Sequence, residues 1–449
     1  MFVRPDNWKE LSSAERRELR LASWTSTGNK QFETPEAEEN YRQNVERFAD
    51  VIRLKKPDRV PIMPIFGQFI GKYGGIRPYD VMYHYDKYEQ AYDKFCRDFQ
   101  PDYQAAAVFL PGRMLDAVDY QAFAWPSHGV PLESPFQYVE REYMLESEYE
   151  EMIADPEGFL LRKYMPRVFK KLKGLELLPT LFTSVEMAMS PALFVPMGAP
   201  PMQAALQALM EAGKQAWDWS QASARAAEIG QGRYGIPGAI GGFSKAPFDY
   251  PGDTLRGTRA IMVDLHRKQK QLLELCERLV PTAIKMGVES ATQSDCPFVF
   301  IPLHKGADEF ISAANFKKFY WPSFKAALLG LIEEGVIPFN FVEGGYNRRL
   351  EIIRDSDIPA GSTYWTFDKT DMALVRKHLG GWAAFGGNVP GSLLYAGTTQ
   401  EMEDYCKKLI DTAGPDGGFV LGTGVVVDDA KAENLHALYD TGRKYGVYK

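Results

Sequence analysis

Residues 298–343, FVFIPLHKGADEFISAANFKKFYWPSFKAALLGLIEEGVIPFNFVE, hold the pattern on which the fold turns. A short β-rich run, Phe298–His304, gives way to a helical stretch over 313–334 and then to a second β-rich run, Val336–Glu343. Strand, helix and strand in this order favour parallel pairing through a right-handed crossover. The same rhythm extends outward in both directions. Further candidate strands are Val60–Phe66, Tyr103–Phe109, Pro237–Gly242, Ser362–Asp368, Trp382–Asn388 and Gly418–Thr423, and further helical stretches fall at 346–355, 370–379 and 399–412. Eight such strands predict an α/β fold, a closed (β/α)8 TIM barrel, in preference to an open doubly wound sheet.

The spacing marks out the domain plan. Residues 1–54 read as an N-terminal helical extension: 8–50 has helical character, and Ser12 followed by Glu15 resembles a capping box. Residues 55–449 then form the barrel. The second and third strands are separated by 110–236, which includes LPGRML, WPSHGVPLESP and a long helix over 204–228. A compact domain does not hold a structureless loop of that length, so this stretch reads as an insertion, a lid or partner platform above the barrel mouth.

Composition narrows the classes. The chain is 45% hydrophobic and 25% charged, as ordinary globular proteins are. Its net charge is -7, and basic residues cluster only in pairs such as Arg16-Arg17 and Lys170-Lys171. A nucleic-acid binder needs a concentrated basic footprint, which is absent. The four cysteines form no CxxC, which fits a reducing compartment. MFVRPDNWKE lacks the apolar stretch of a signal peptide, and no apolar run approaches the roughly 20 residues of a membrane span. The expectation is a cytoplasmic protein.

In a barrel, functional side chains emerge where strands end. The fourth to seventh strands end on His304, Glu343, Asp368 and Asn388, and the eighth on Leu421-Gly422-Thr423-Gly424. One imidazole, two carboxylates and an amide on consecutive strands can hold a divalent metal or supply an acid–base pair. Glu343 precedes Gly344-Gly345, which let a ligand approach. Plainer roles stand beside these: His304 as a hydrogen-bonded structural histidine, Asp368 as the cap of a helix near Thr370, and Asn388 as a brace for the rim. Arg113 and Lys245 follow the second and third strands and can meet an anionic group or simply carry surface charge. Tyr346 and Trp365 are candidates for an aromatic pocket wall, although strand aromatics more often belong to the core. No GxGxxG follows a first strand, and no P-loop, GxSxG or HExxH occurs.

Several stretches together resemble the uroporphyrinogen decarboxylase superfamily. KKPDRVPIMP at 55–64 is similar to its opening strand, and ISAANFKKFYWPSFKAAL at 311–328 to its "LSPxxFxxFxxP" stretch. FGGNVPGSLLYAGTTQEM at 385–402 resembles "GNxDPxxLxxGTxEE", and GPDGGFVLGTGVVVDDAKAENLHAL at 414–438 resembles the last strand and helix, with their "xxENxxAL" ending. The resemblance implies a (β/α)8 barrel and either decarboxylase or corrinoid-dependent methyltransferase chemistry. Pro64–Tyr73 lacks the arginines of the decarboxylases' "MRQAGRYLPEY", and Gly422-Thr423-Gly424-Val425 replaces their "GHGI". A polycarboxylate tetrapyrrole would leave charges uncompensated there. Glu343 replaces the cysteine of the methyltransferases' zinc-binding "HxCG", and their late cysteine falls near Thr423, so the soft thiolate site for thiol methylation is missing too.

What the resemblance then implies is a methyltransferase acting on the donor side. A Zn²⁺ held by His304, Glu343 and a third ligand (Glu289, Asp368 or water) would activate the leaving atom of a small methylated donor. An aryl methyl ether fits, which would make the reaction an O-demethylation. Glu343, Asp368 and Asn388 would be catalytic, with the methyl group passing to cobalamin carried by a partner corrinoid-binding protein. A homodimer follows by analogy. Two other readings are a metal-independent decarboxylase of a small acid, held by Arg113 or Lys245, and a non-catalytic binding protein.

Overall fold

The computed structural model describes residues 1–104, 110–185 and 191–449. Among them the chain forms strands β1 (Ile62–Phe66), β2 (Phe123–Pro126), β3 (Gly129–Val130), β4 (Gln137–Tyr138), β5 (Gly242–Phe243), β6 (Phe298–Leu303), β7 (Ile337–Val342), β8 (Tyr364–Phe367), β9 (Ala384–Val389) and β10 (Phe419–Val427). Seven of these make one curled sheet in the order β1-β10-β9-β8-β7-β6-β5, and every adjacent pair is parallel. The main helices are α1 (Ser13–Thr25), α2 (Pro35–Ile52), α3 (Tyr85–Phe99), α4 (Pro200–Glu228), α5 (Gln269–Ser294), α6 (Trp321–Glu333), α7 (Met372–Leu379), α8 (Thr399–Ala413) and α9 (Ala432–Lys444). The alternation read from the sequence is therefore the architecture of the sheet.

The predicted second strand, Tyr103–Phe109, lies outside the described residues from 105 onward. Of its first two residues, Tyr103 donates its hydroxyl to the Pro64 carbonyl of β1, and Gln104 donates its N–H over 2.7 Å to the carbonyl of Pro237, in the segment leading into β5. Between there and β5 lie a small sheet of order β3-β2-β4, several short helices and α4. Just beyond α4, Arg233 pairs with Glu33, which lies just ahead of α2.

Alternation along the strands divides the core in two. Met63, Ile65, Phe298, Ile337, Phe339, Phe341, Tyr364, Ala384 and Val420 share one cluster, which lines the inner face of the curl. Val299, Ile301, Leu303, Val342, Trp365, Phe367, Phe385 and Leu421 belong to the other, packed beneath the outer helices. The inner cluster is sealed by α1 and α2, which contribute Leu21, Trp24, Val45, Phe48, Val51 and Ile52. The helical reading of 8–50 needs one correction, because it is two helices. Thr34 caps α2 with Pro35 in the first turn, and that pairing starts a new helix after a break. The expected capping box at Ser12 and Glu15 is present. All four cysteines are buried and unpaired. No described helix is long and apolar enough to cross a membrane.

Trp24 anchors this seal. It is 3% exposed, meets the Phe298 ring edge-on at 5.3 Å and donates its indole N–H to the Gly238 carbonyl. Replacing it with alanine opens a cavity between the seal and the sheet. Trp24→Ala should lower stability by about 3–5 kcal/mol, read from urea unfolding.

Candidate active site

The register of the parallel ladder builds the site. Leu303 pairs with Val342, Val342 with Phe367, and Phe367 with Gly387, so these four residues form one row across the sheet. The next residue on each strand, His304, Glu343, Asp368 and Asn388, forms the row above. Each is an even number of steps from an inner-face residue: Phe298, Ile337, Tyr364 and Ala384. Parity turns all four toward the inside of the curl, at the carboxyl ends of the strands. Gly344 follows with φ +85°, a conformation that lets the chain turn away directly after Glu343.

His304 is held from behind by the segment 245–253. Its Nδ1 lies 2.6 Å from Asp253 Oδ2, and its backbone N–H donates to Asp249 Oδ2 over 3.1 Å. Asp249 also accepts the Lys305 backbone N–H and the Tyr320 hydroxyl. Lys245 Nζ stands 2.8 Å and Lys305 Nζ 3.5 Å from Asp253. The loop beyond His304 is fixed by fully buried Arg349, which donates to the carbonyls of Gly306, Ala307 and Ile311. What remains open is His304 Nε2, which faces Glu343 Oε1 at 3.6 Å. Asp368 lies beside them and accepts the Gly344 N–H over 3.3 Å.

The electrostatics follow from burial and neighbours. Burial alone would push His304 down, but the hydrogen bond and charge of Asp253 outweigh it and raise the imidazole above its usual value. Burial likewise acts to raise Asp253, yet His304 and Lys245 hold that carboxylate well below the normal range. Asp249 moves the other way, raised by complete burial and by the nearby charge of Asp253. Glu343 is raised by desolvation against the pull of His304, and Asp368 is raised by desolvation as well. The mouth therefore holds one cation-prone imidazole beside two carboxyls that keep protons more readily than carboxyls in water.

The structure brings His304, Glu343, Asp368 and Lys245 together and parts them from other residues singled out in the sequence. Glu289 is a correction: it lies exposed on α5 and pairs with Lys285, so it is no partner of His304. Trp365 is another, because strand parity turns it outward, fully buried beneath α6 against Phe324. Tyr346 is fully buried with its ring edge-on to Phe316, and so lines no mouth. Arg113 is exposed on the short helix Gly112–Val118 and donates to the Tyr83 carbonyl. Asn388 is a brace. Its amide donates to the carbonyls of Asp368 and Thr370, each over 2.9 Å, and its oxygen accepts the Tyr405 hydroxyl. Lys245 belongs to the site, but its charge is taken up by Asp253. Sequence reading missed Asp249, Asp253 and Lys305. The signal was there in K245-APF-D249-YPG-D253, three charges among apolar, glycine and proline residues directly after a strand.

The zinc implied by the resemblance needs at least three protein donors or two with a well-placed third. Here Asp253 is committed to His304 and two lysines, Glu289 is elsewhere, and the Thr423 hydroxyl donates to the Val425 carbonyl while accepting the Ile65 N–H. Among the described residues no group of three or more His, Cys, Asp or Glu side chains is placed to hold a metal ion. As arranged, the residues present do not fit that metal.

A parallel sheet with an acid–base row at the carboxyl ends of its strands is the plan of α/β enzymes whose site lies on that rim. Residues 226–445, a segment that carries every residue of the site, match the uroporphyrinogen decarboxylase family. Among solved structures it is similar to a methyltransferase from Methanosarcina mazei, with a TM-score of 0.55 and 12% identity over 90% of this chain and 98% of that one. At that identity the likeness is one of fold. Comparison with curated proteins found no match.

Two outcomes follow for the site. Removing Asp253 strands His304, Lys245 and Lys305 as uncompensated charges, so Asp253→Ala should cost about 3–5 kcal/mol in urea unfolding at neutral pH. A raised imidazole adds stability that is fully present below the unfolded value of about 6.5 and is lost as pH rises through the higher folded value. Unfolding measured from pH 5.5 to 9 should show the wild type losing stability on the alkaline side relative to His304→Gln.

Proposed function

We propose that this chain is a methyltransferase that takes the methyl group of a small methylated donor, an aryl methyl ether, and passes it to a corrinoid carried by a partner protein. The observation that carries the reading is the open pair His304 Nε2 and Glu343 Oε1, 3.6 Å apart on the inner rim with Asp368 beside them. A departing oxygen needs a proton or an electrophile, and this pair supplies groups of that kind. Below the row the inner face is apolar: Phe300 is partly open, and its ring lies 5.4 Å from that of Phe341, a seat for an aromatic group. A methyltransferase with this fold supports the same class of chemistry.

The decarboxylase reading requires cations free to hold a carboxylate. Lys245 and Lys305 are paired with Asp253, and Arg113 is bound to a backbone carbonyl. We further infer that the sheet closes into a (β/α)8 barrel, since Tyr103 bonds to β1 at one edge and Gln104 bonds to Pro237, in the segment that leads into β5 at the other. The large stretch 110–236 would then stand above the mouth, where a corrinoid protein must approach.

The test is to mix the purified protein with an aryl methyl ether and chemically reduced cobalamin and to follow the methylcobalamin spectrum and phenol release. Glu343→Gln should slow transfer by about 10²–10³-fold. No methylcobalamin from any methyl ether would overturn the reading, and CO₂ release from small acids without cobalamin would replace it with the decarboxylase.

A further inference from the structure

Resting on the methyl-transfer reading, we infer that the leaving oxygen is activated by a proton from His304 Nε2 and not by a metal, with Asp253 as the positioning residue that fixes the imidazole for that role. The geometry divides the ring between two tasks. Nδ1 sits 2.6 Å from Asp253, a short charge-assisted contact that places a proton on that nitrogen and sets the orientation of the ring. Nε2 is left directed into the mouth toward Glu343. A carboxylate on Nδ1 also occurs behind metal-bound histidines, where it steadies the ring. Here it is joined by two lysines, and among the described residues no third His, Cys, Asp or Glu side chain is placed to complete a metal site with His304 and Glu343.

Asp253 is itself fixed. It is 8% exposed and stands within reach of Lys245, Lys305 and His304 together. The lysines keep it ionised, and an ionised Asp253 favours the imidazolium. The charged and titratable groups around His304 are Asp253 and Lys245 from 245–253, Asp249 at its backbone N–H, Lys305 on its own loop and Glu343 from β7. Asp368 stands behind Glu343.

The step balances as follows. The bond between the methyl carbon and oxygen breaks, and its electron pair stays on oxygen. The two electrons of the reduced corrinoid cobalt form the new bond to the methyl carbon, so cobalt is oxidised from the +1 to the +3 state. The proton on Nε2 passes to oxygen and gives the free phenol. Neutral His304 is then recharged from solvent past Glu343. A quaternary ammonium donor leaves as a neutral amine and needs no proton, so this site favours oxygen donors.

The test combines metal analysis, kinetics and nuclear magnetic resonance on the full chain. Protein dialysed against dipicolinate and shown to be zinc-free should transfer methyl from an aryl methyl ether to reduced cobalamin within about twofold of its starting rate. Activity lost on dialysis and restored by zinc overturns the inference. Asp253→Asn should lower kcat by about 100-fold with little change in KM, and should move the alkaline limb of the rate profile to lower pH. A structural role alone would reduce stability and leave the limb in place. Lys245→Met provides a milder second variant: His304 and Lys305 still keep Asp253 ionised, and the loss of a like charge beside the imidazolium should move the limb to higher pH. Nitrogen-15 spectra of labelled histidine separate this result from failure of the methyl-transfer reading. If no ether is demethylated, the functional reading falls. If the His304 resonances titrate identically in wild type, Asp253→Asn and Lys245→Met, the positioning role falls whatever the substrate.

Discussion

Hydrogen bonding between neighbouring parallel strands fixes more of this molecule than any other interaction. Each ladder sets where one strand stops relative to the next, and from β6 to β8 the strands stop level. Residues far apart in the chain thereby become neighbours. A slip of one residue in any ladder would turn a whole strand over and bury its terminal acid or imidazole under the outer helices. The alternating cores on the two faces guard against such a slip, since it would bring Ile301 and Trp365 inward and Phe300 and Tyr364 outward.

Behind that row stands a second constraint, made of charge. Asp249, Asp253 and Arg349 are almost withdrawn from solvent and spend their hydrogen bonds on the loop after β6. Burying such groups is costly, and aliphatic packing would serve stability at least as well. Their presence is understandable as positional: they hold one imidazole with one nitrogen tied and the other open. Asp249 and Asp253 lie four residues apart yet shift in opposite directions, because complete burial and the charge of Asp253 raise the first, while His304 and Lys245 lower the second against its own burial.

Much of the fold was legible because periodicity is a local property. Phe298–His304 and Val336–Glu343 announce strands by composition, and parity together with strand ends picks out His304, Glu343 and Asp368. What failed was whatever depends on direction in space. Trp365 looked like a pocket residue because its strand ends at the mouth, but its parity is odd relative to Tyr364, which faces inward. Glu289 belongs to a helix whose outer face cannot be told from its inner one without knowing how it packs. Asp249 and Asp253 were overlooked because they follow a strand of only two paired residues, too brief to signal that a functional loop begins there. The break between α1 and α2 was readable in Thr34 and Pro35 and was passed over in favour of a continuous helical pattern.

The seal made by α1 and α2 bears on how the chain acquires its shape. Trp24, Val45 and Phe48 are made well before most of the surfaces that cover them, which belong to β6, β7, β8 and β10. Only Met63 and Ile65 of β1 meet that apolar face soon after it is made; its other strand partners come much later. The segment of α1 and α2 must wait, only partly covered, until β10 has been made, and contacts of such long sequence separation make for slow folding. The interval between first synthesis and final closure is when this protein is most open to aggregation and most in need of a chaperone.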